Sequence, residues 1–219
     1  MPIKVYKPTT PARRKTSILI NRDLSKKRPE KSLIFRKNLF ILYLKYNLNM
    51  NLNLENKVWW SYVEEDLQEL LVASEFLTNV VKSWGGDLPS GSRVFHDYSF
   101  IVFPAAKAYE GFLKKMFFDL GFITNEDYHG KRFRIGKALN PFLEKDIRDR
   151  ESVYDKLVKF CGGKELADKL WETWTQGRNA IFHWFPDEKK AISFTEAEAK
   201  IKLIVSTMDM AFLGCRLKG

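Results

Sequence analysis

The stretch DYSFIVFPAAKAYEGFLKKMFFDLG, residues 97–121, decides the fold. Within it Phe103, Ala106, Glu110, Leu113, Phe117 and Leu120 recur at spacings of three and four, the period of one face of an α-helix. Asp97 offers a side-chain oxygen suited to an N-cap and Gly121 suits a C-terminal stop, so a helix is predicted from about Asp97 to Leu120. Pro104 is expected either to kink it or to start its second half. Glu110 is the one ionisable residue in the stripe, and an ionised carboxylate in an apolar seam is costly unless paired and hydrogen-bonded. Either Glu110 lies at the edge of the seam and reaches water, or a cation meets it inside. In the second case, removing its charge is expected to cost stability as well as activity.

The same period continues on both sides. Val63, Leu67, Leu70, Leu71, Leu77, Val80, Val81 and Trp84 mark a preceding helix that stops at Gly85-Gly86. Shorter helices are predicted around Gly136 to Leu143 and Ser152 to Phe160. After Gly162-Gly163 another begins near Lys164, with Leu166, Leu170, Trp174 and Ile181 inward. A turn at Pro186-Asp187 leads to an extended piece, Ile192 to Phe194, and Thr195 with Glu198 reads as a capping box. The last helix carries Ile201, Ile204, Met208, Ala211 and Cys215 on one face. These segments predict an all-α fold, a bundle of four to five main helices over residues 57–219.

The residues before that bundle differ in kind. The chain has 219 residues and a net charge of +10, from 37 Lys plus Arg against 27 Asp plus Glu. Residues 1–40 hold 12 basic residues and two acids, Asp23 and Glu30, so the rest of the chain is neutral. Residues 1–36 are rich in Pro, Lys and Arg without helical periodicity and are expected to be a disordered, basic arm. Residues 37–56 form a junction in which Asn alternates with Leu or Met from Asn47 to Leu54, a strand-like period with no neighbouring strand pattern to pair with. The 45 % hydrophobic and 14 % aromatic content supplies a core and excludes a wholly disordered chain.

The longest apolar run, Leu39 to Leu44, is far short of the roughly 20 residues that span a bilayer, so no membrane span is expected and the protein is read as cytoplasmic. Cys161 and Cys215 form no CxxC or Cys/His cluster and are read as buried thiols; no metal ligands and no cofactor motif are expected.

Two segments carry resemblances. Tyr6-Lys7-Pro8-Thr9-Thr10-Pro11, Arg13-Arg14 and Lys26-Lys27-Arg28-Pro29-Glu30-Lys31-Ser32-Leu33 resemble the N-terminal arm of the second protein of the bacterial large ribosomal subunit. The folded domains that follow that arm in the ribosomal family have no counterpart here, so a fusion or a rearranged frame is implied rather than a ribosomal role.

The second begins from chemistry. Gln176-Gly177-Arg178-Asn179-Ala180-Ile181-Phe182-His183 holds the one Arg-then-His pair at four to six residues' spacing in this chain. An Arg and a His suit phosphodiester cleavage. A guanidinium holds two phosphate oxygens and stabilises the charge of a pentacovalent transition state, and an imidazole moves a proton near neutral pH. In RNA the 2′-hydroxyl is an internal nucleophile, so no metal is needed. A spacing of five does not put two side chains on one helical face, so convergence requires that the helix end, bend or be completed by a second chain. A structural role remains open as well, since His at a helix C-terminus commonly serves as a dipole or cap contact.

This segment resembles the Arg-Asn-x-x-x-His motif of the HEPN superfamily of all-α ribonucleases. Together with Pro104-Ala-Ala-Lys107-Ala-Tyr109-Glu110-Gly111-Phe-Leu-Lys114 it is similar to the C-terminal HEPN domain of RnlA/LsoA-type toxins, over about residues 58–217. The resemblance implies an endoribonuclease of a toxin–antitoxin system, with Glu110, Arg178 and His183 as active-site residues and Asn179 in support. It also implies a homodimer that completes the site across two subunits, an RNA substrate and a cytosolic antitoxin protein. The family's upstream domains do not match the basic arm found here. An alternative is therefore a catalytically inactive dimerisation or antitoxin-binding module, a remnant of a rearranged gene.

Other residues have plainer readings. His96 beside Asp97 is read as part of a helix cap. His129 and the run Lys131-Arg132-Phe133-Arg134 form a loop able to touch RNA or simply to be solvated. Trp59, Trp60, Trp171 and Trp174 are expected in the core.

Overall fold

The computed structural model describes residues 50–84, 94–183, 186 and 191–217, all within the unit Leu39–Gly219. The basic arm, the junction before Met50 and the Gly85-Gly86 stop lie outside the described residues. Every regular element among the described residues is helical. We number the α-helices α1 (Glu65–Ser83), α2 (Ser99–Asp119), α3 (Asn125–His129), α4 (Ile135–Ala138), α5 (Lys145–Glu151), α6 (Val153–Cys161), α7 (Glu165–Trp174), α8 (Ala180–Phe182) and α9 (Phe194–Gly214). Between α7 and α8 the chain makes one π turn, Thr175–Asn179, and short 3₁₀ turns at Leu54–Asn56 and Trp60–Tyr62 precede α1. No helix among the described residues is long and apolar enough to cross a membrane.

The predicted central helix is present and runs through Pro104 without a break in assignment. It begins two residues later than expected. Tyr98 holds the N-cap position, while the Asp97 carboxylate accepts from Ser99 N, Ser99 Oγ and Ile192 N at 3.0, 2.9 and 3.2 Å. Tyr98 N donates in turn to the Ile192 carbonyl at 3.1 Å, so the extended piece before α9 is fastened to the start of α2. At the other end Gly121 takes φ 69, a left-handed conformation that favours glycine, and closes the helix as expected. The capping box of α9 is Ser193 with Glu196 rather than Thr195 with Glu198. The Ser193 hydroxyl accepts from Glu196 N, the Glu196 carboxylate accepts from Ser193 N, and the helix therefore starts at Phe194.

Helix α2 is the core. Ile101, Val102, Ala105, Ala108, Tyr109, Phe112, Leu113, Met116 and Phe117 are buried against α1 and α9, each large side chain contributing roughly 1.5–3 kcal/mol. Trp59 is fully buried, and its Nε1 donates to Asp209 Oδ1 at 2.7 Å, fixing the segment that leads into α1 to α9. The chain from Met50 to Asn56, read above as part of the junction, packs on α1. Met50 and Leu54 are buried, Asn79 accepts from Met50 N and donates to its carbonyl at 2.6 and 2.8 Å, and Leu52 N donates to Glu75 Oε1 at 2.5 Å. The cysteines differ from expectation in one respect. Cys215 is buried, with burial pushing its thiol up to about 12, but Cys161 is exposed because it ends α6 at the turn through Gly162.

Asn79→Ala is expected to strip both hydrogen bonds from the Met50 backbone and cost about 2 kcal/mol, read as a lower urea midpoint. An unchanged midpoint would make residues 50–56 a passenger. A second expectation concerns alkali. Burial, and then a hydrogen bond to Asp119, raise the Tyr62 phenol above its ordinary value; burial raises Tyr109; and burial, then Asp168, takes Tyr154 to about 12. A raised folded-state pKa gives stability that is complete below pH 10 and lost as pH rises beyond it, by up to about 1.4 kcal/mol per pH unit for each such tyrosine. Urea midpoints should fall between pH 9.5 and 11, and less steeply in Tyr62→Phe.

Candidate active site

Helix α2 is not covered all round. Phe100, Phe103, Lys107, Glu110 and Lys114 follow one another at spacings of three and four, and none of them is buried. The seam therefore has an edge, Glu110 stands on it, and a cation meets it there. Arg178 Nη2 lies 3.4 Å from Glu110 Oε2, with the side chains 34 % and 42 % exposed. The edge alternative holds for Glu110, and the cation meets it at the surface rather than inside. A long, half-exposed ion pair contributes at most about 1 kcal/mol. The cost in stability expected on removing the Glu110 charge is revised downward accordingly.

What holds Arg178 is the surface beneath it. Its guanidinium carbon lies 4.8 Å from the centroid of the Trp174 ring, four residues earlier in the chain. Trp174 is 4 % exposed, and the space under it is closed, because a Cβ at Gly136 of α4 would come within 2.7 Å of Trp174 Nε1. Only glycine fits there, so the indole is a fixed platform. Tyr109, next to Glu110, sends its hydroxyl to the Leu170 carbonyl at 3.2 Å and ties α2 to α7. The π turn that carries Arg178 is bound to α9 by Lys200 Nζ, which donates to the Gln176 carbonyl at 3.0 Å, and Gly177 is buried against Ile204. Thr175 Oγ1 is buried in the same turn without a hydrogen-bond partner among the described residues. Such π bulges cost regular hydrogen bonding and recur at functional sites.

The helix also ends where the spacing requires. After the π turn, α8 is only three residues long, and His183 leaves it in an extended conformation, φ −102 and ψ 128, exposed to solvent. Phe182 meets Phe103 edge to face at 5.5 Å. His183 thus sits at the Phe103 end of the α2 stripe, and Glu110 is seven residues further along, roughly 10 Å on the helix axis. The structure brings Glu110 and Arg178 into contact; His183 follows Phe182, which meets the same stripe at Phe103. Lys107, which the sequence reading did not single out, is exposed between the two ends. Its signal was available, since it falls one turn from both Phe103 and Glu110. Asn179 is exposed and its side chain caps nothing.

The remaining candidates lie elsewhere. His96 is exposed beside the Asp97 cap, and His129 ends α3 with its ring 4.9 Å from that of Tyr128. Lys131, Arg132 and Arg134 are exposed in the loop before α4, where Arg134 Nη1 donates to the Lys131 carbonyl at 2.6 Å. Trp59 and Trp174 are core residues as expected, and Trp60 and Trp171 are half-buried. No protein-family model matches the chain, and no solved structure matches it.

Glu110→Gln is expected to move the urea midpoint by less than about 1 kcal/mol equivalent, because the pair is exposed. Gly136→Ala should cost more, about 1–3 kcal/mol, because the new methyl must displace Trp174. Equal losses in the two variants would make the ion pair, not the platform, the organising contact.

Proposed function

We propose that the chain is a metal-independent endoribonuclease of toxin–antitoxin type with a HEPN-like helical domain. Arg178 stabilises transition-state charge, His183 moves the proton, and Glu110 orients the guanidinium. The observation that carries this reading is Arg178 itself. It lies on a buried indole, makes one long bond to a carboxylate, and has no other hydrogen-bond partner among the described residues. Its remaining N–H donors suit the equatorial oxygens of a phosphorane. His183 takes the proton of a ribose 2′-hydroxyl or gives one to the leaving 5′-oxygen. The 2′-oxygen attacks the adjacent phosphorus, the bond from phosphorus to O5′ breaks, and the products carry a 2′,3′-cyclic phosphate and a 5′-hydroxyl.

The stripe separates Glu110 from Phe103 by roughly 10 Å, more than one phosphate spans. The reading therefore includes a symmetric homodimer in which two copies of the Arg178–His183 segment complete a site. Its support is an exposed aromatic face at the same end of α2. Trp84 and Phe103 are 58 % and 54 % exposed, and the Phe95 ring lies 5.3 Å from that of Phe100 and 6.3 Å from that of Trp84. The basic arm adds salt-dependent affinity for RNA, and a cytosolic antitoxin protein restrains the enzyme. The same aromatic face favours a second reading, a non-catalytic module that dimerises or binds an antitoxin without using His183.

The test is cleavage of a structured RNA in chelator, with the product ends mapped. Arg178→Ala and His183→Ala should each lower the rate by about two orders of magnitude with circular dichroism unchanged, and a 2′-deoxy residue at the cut should abolish cleavage. Cleavage that needs magnesium, that survives the 2′-deoxy substitution, or that persists fully in His183→Ala refutes the mechanism. A stable monomer that still cleaves refutes the shared site. A dimer that cleaves nothing selects the second reading.

A further inference from the structure

A concave recess of about 310 Å³ opens between the loop before α4, α4 itself and the start of α6. That volume falls at the lower end of small-molecule sites, roughly 300–1,000 Å³. Its apolar part is made by Ile123, Ala138 and Val153, which are buried, and by the half-buried rings of Phe122 and Phe133. Its rim is basic: Arg132, Arg134, Lys137, Arg150 and Lys156 line it, with two carboxylates, Asp127 and Glu151.

Both carboxylates already have partners. Asp127 Oδ2 accepts from Thr124 N and Oγ1 at 3.1 and 2.9 Å in the capping box of α3, and Glu151 Oε2 pairs with Lys137 Nζ at 2.5 Å. The other four cations meet no carboxylate among the described residues. Lys156 donates to the Phe122 carbonyl at 2.6 Å, Arg134 to the Lys131 carbonyl at 2.6 Å and Arg150 to the Asp146 carbonyl at 3.1 Å. Arg132 has no partner among the described residues. Carbonyl and hydroxyl groups are neutral, so five cations face one small concavity against two carboxylates, Asp127 and Glu151, an excess of three positive charges. Low-dielectric walls strengthen their field at an anion.

We propose that this recess binds a nucleotide unit, with its phosphate held by Arg132, Arg134, Arg150 and Lys156 and its base stacked on Phe133. The charges require a group of more than one negative charge, and planar guanidinium groups match phosphate oxygens in pairs. The aromatic and apolar floor distinguishes a nucleotide from phosphate alone, because every base has a face that stacks on a ring. The unit comes either from a free mononucleotide or from a nucleic-acid strand. The proposal does not depend on the ribonuclease reading, since Glu110, Arg178 and His183 do not line the recess.

The experiment is calorimetric titration of the full chain with adenosine 5′-monophosphate, adenosine, and a 5′-phosphorylated tetranucleotide made 2′-O-methyl throughout so that it resists cleavage. The monophosphate should bind at least tenfold more tightly than adenosine. Arg132→Ala, which breaks no hydrogen bond or ion pair among the described residues, should weaken monophosphate binding severalfold, and Arg132→Ala with Arg150→Ala should weaken it tenfold or more. Lys82→Ala with Lys164→Ala, the same loss of charge at exposed positions outside the recess, should leave it unchanged. A tetranucleotide that binds more tightly than the monophosphate identifies a strand as the source, and equal binding identifies the free nucleotide; either supports the site. Equal binding of adenosine, equal loss in the Lys82→Ala, Lys164→Ala variant, or unchanged binding in Arg132→Ala overturns it. So does a hexaglutamate peptide that binds as tightly as the monophosphate and loses affinity in Arg132→Ala.

Discussion

Helix α2 needs cover on nearly every side, and the rest of the body is arranged to supply it. Its residues at 101, 102, 105, 108, 109, 112, 113, 116 and 117 are buried, and α1, α9 and the π turn pack against it. The Tyr109 hydroxyl on the Leu170 carbonyl and the Asp97 and Tyr98 contacts with Ile192 show how α7 and the approach to α9 are drawn to the same helix. One stripe, from Phe100 through Phe103, Lys107 and Glu110 to Lys114, is left open. The candidate active site occupies that stripe because it is where a polar side chain on α2 can stay in contact with water.

Packing, rather than charge, sets the position of Arg178. The ion pair with Glu110 is 3.4 Å long and half-exposed, while the indole below it is buried and wedged over Gly136. A guanidinium fixed by an indole keeps most of its donors, whereas one fixed by a bidentate carboxylate would have spent them on it. That difference is what leaves Arg178 able to meet a phosphate. The π turn follows Trp174, Arg178 within it lies over the ring, and Phe182 beyond it meets Phe103.

Net charge hides local charge. Outside residues 1–40 the basic and acidic residues balance, yet within the body they are not evenly mixed. Paired groups such as Arg148 with Asp155 neutralise each other, and the Arg148 guanidinium holds the Asp155 carboxyl below its ordinary range. Around the recess by α4 five cations face two carboxylates, and one of those carboxylates is paired with Lys137. Gly136 of α4 supports the Trp174 platform and Lys137, the next residue, lines the recess, so one short helix borders both.

The sequence by itself determined the elements and the ends that rest on local chemistry. The three–four stripes gave the all-α class and α2, and Gly121 gave a stop because its φ of 69 is open to glycine at little cost. The candidate residues Glu110, Arg178 and His183 were also legible, as an ionisable group in an apolar stripe and a close Arg–His pair. Starts read less well. Ser193 and Thr195 each precede a glutamate by three residues, and local sequence does not say which box the tertiary contact between Ile192 and Tyr98 selects. Tertiary structure alone decided that Glu110 lies at the edge of its seam, that Met50 and Leu54 are core, and that Cys161 is exposed. Periodicity reports which face of a helix is apolar, but not how far a neighbouring helix reaches around it. That reach depends on the volumes of side chains distant in sequence, such as Trp174 over Gly136, and it settles which polar groups remain open to a ligand.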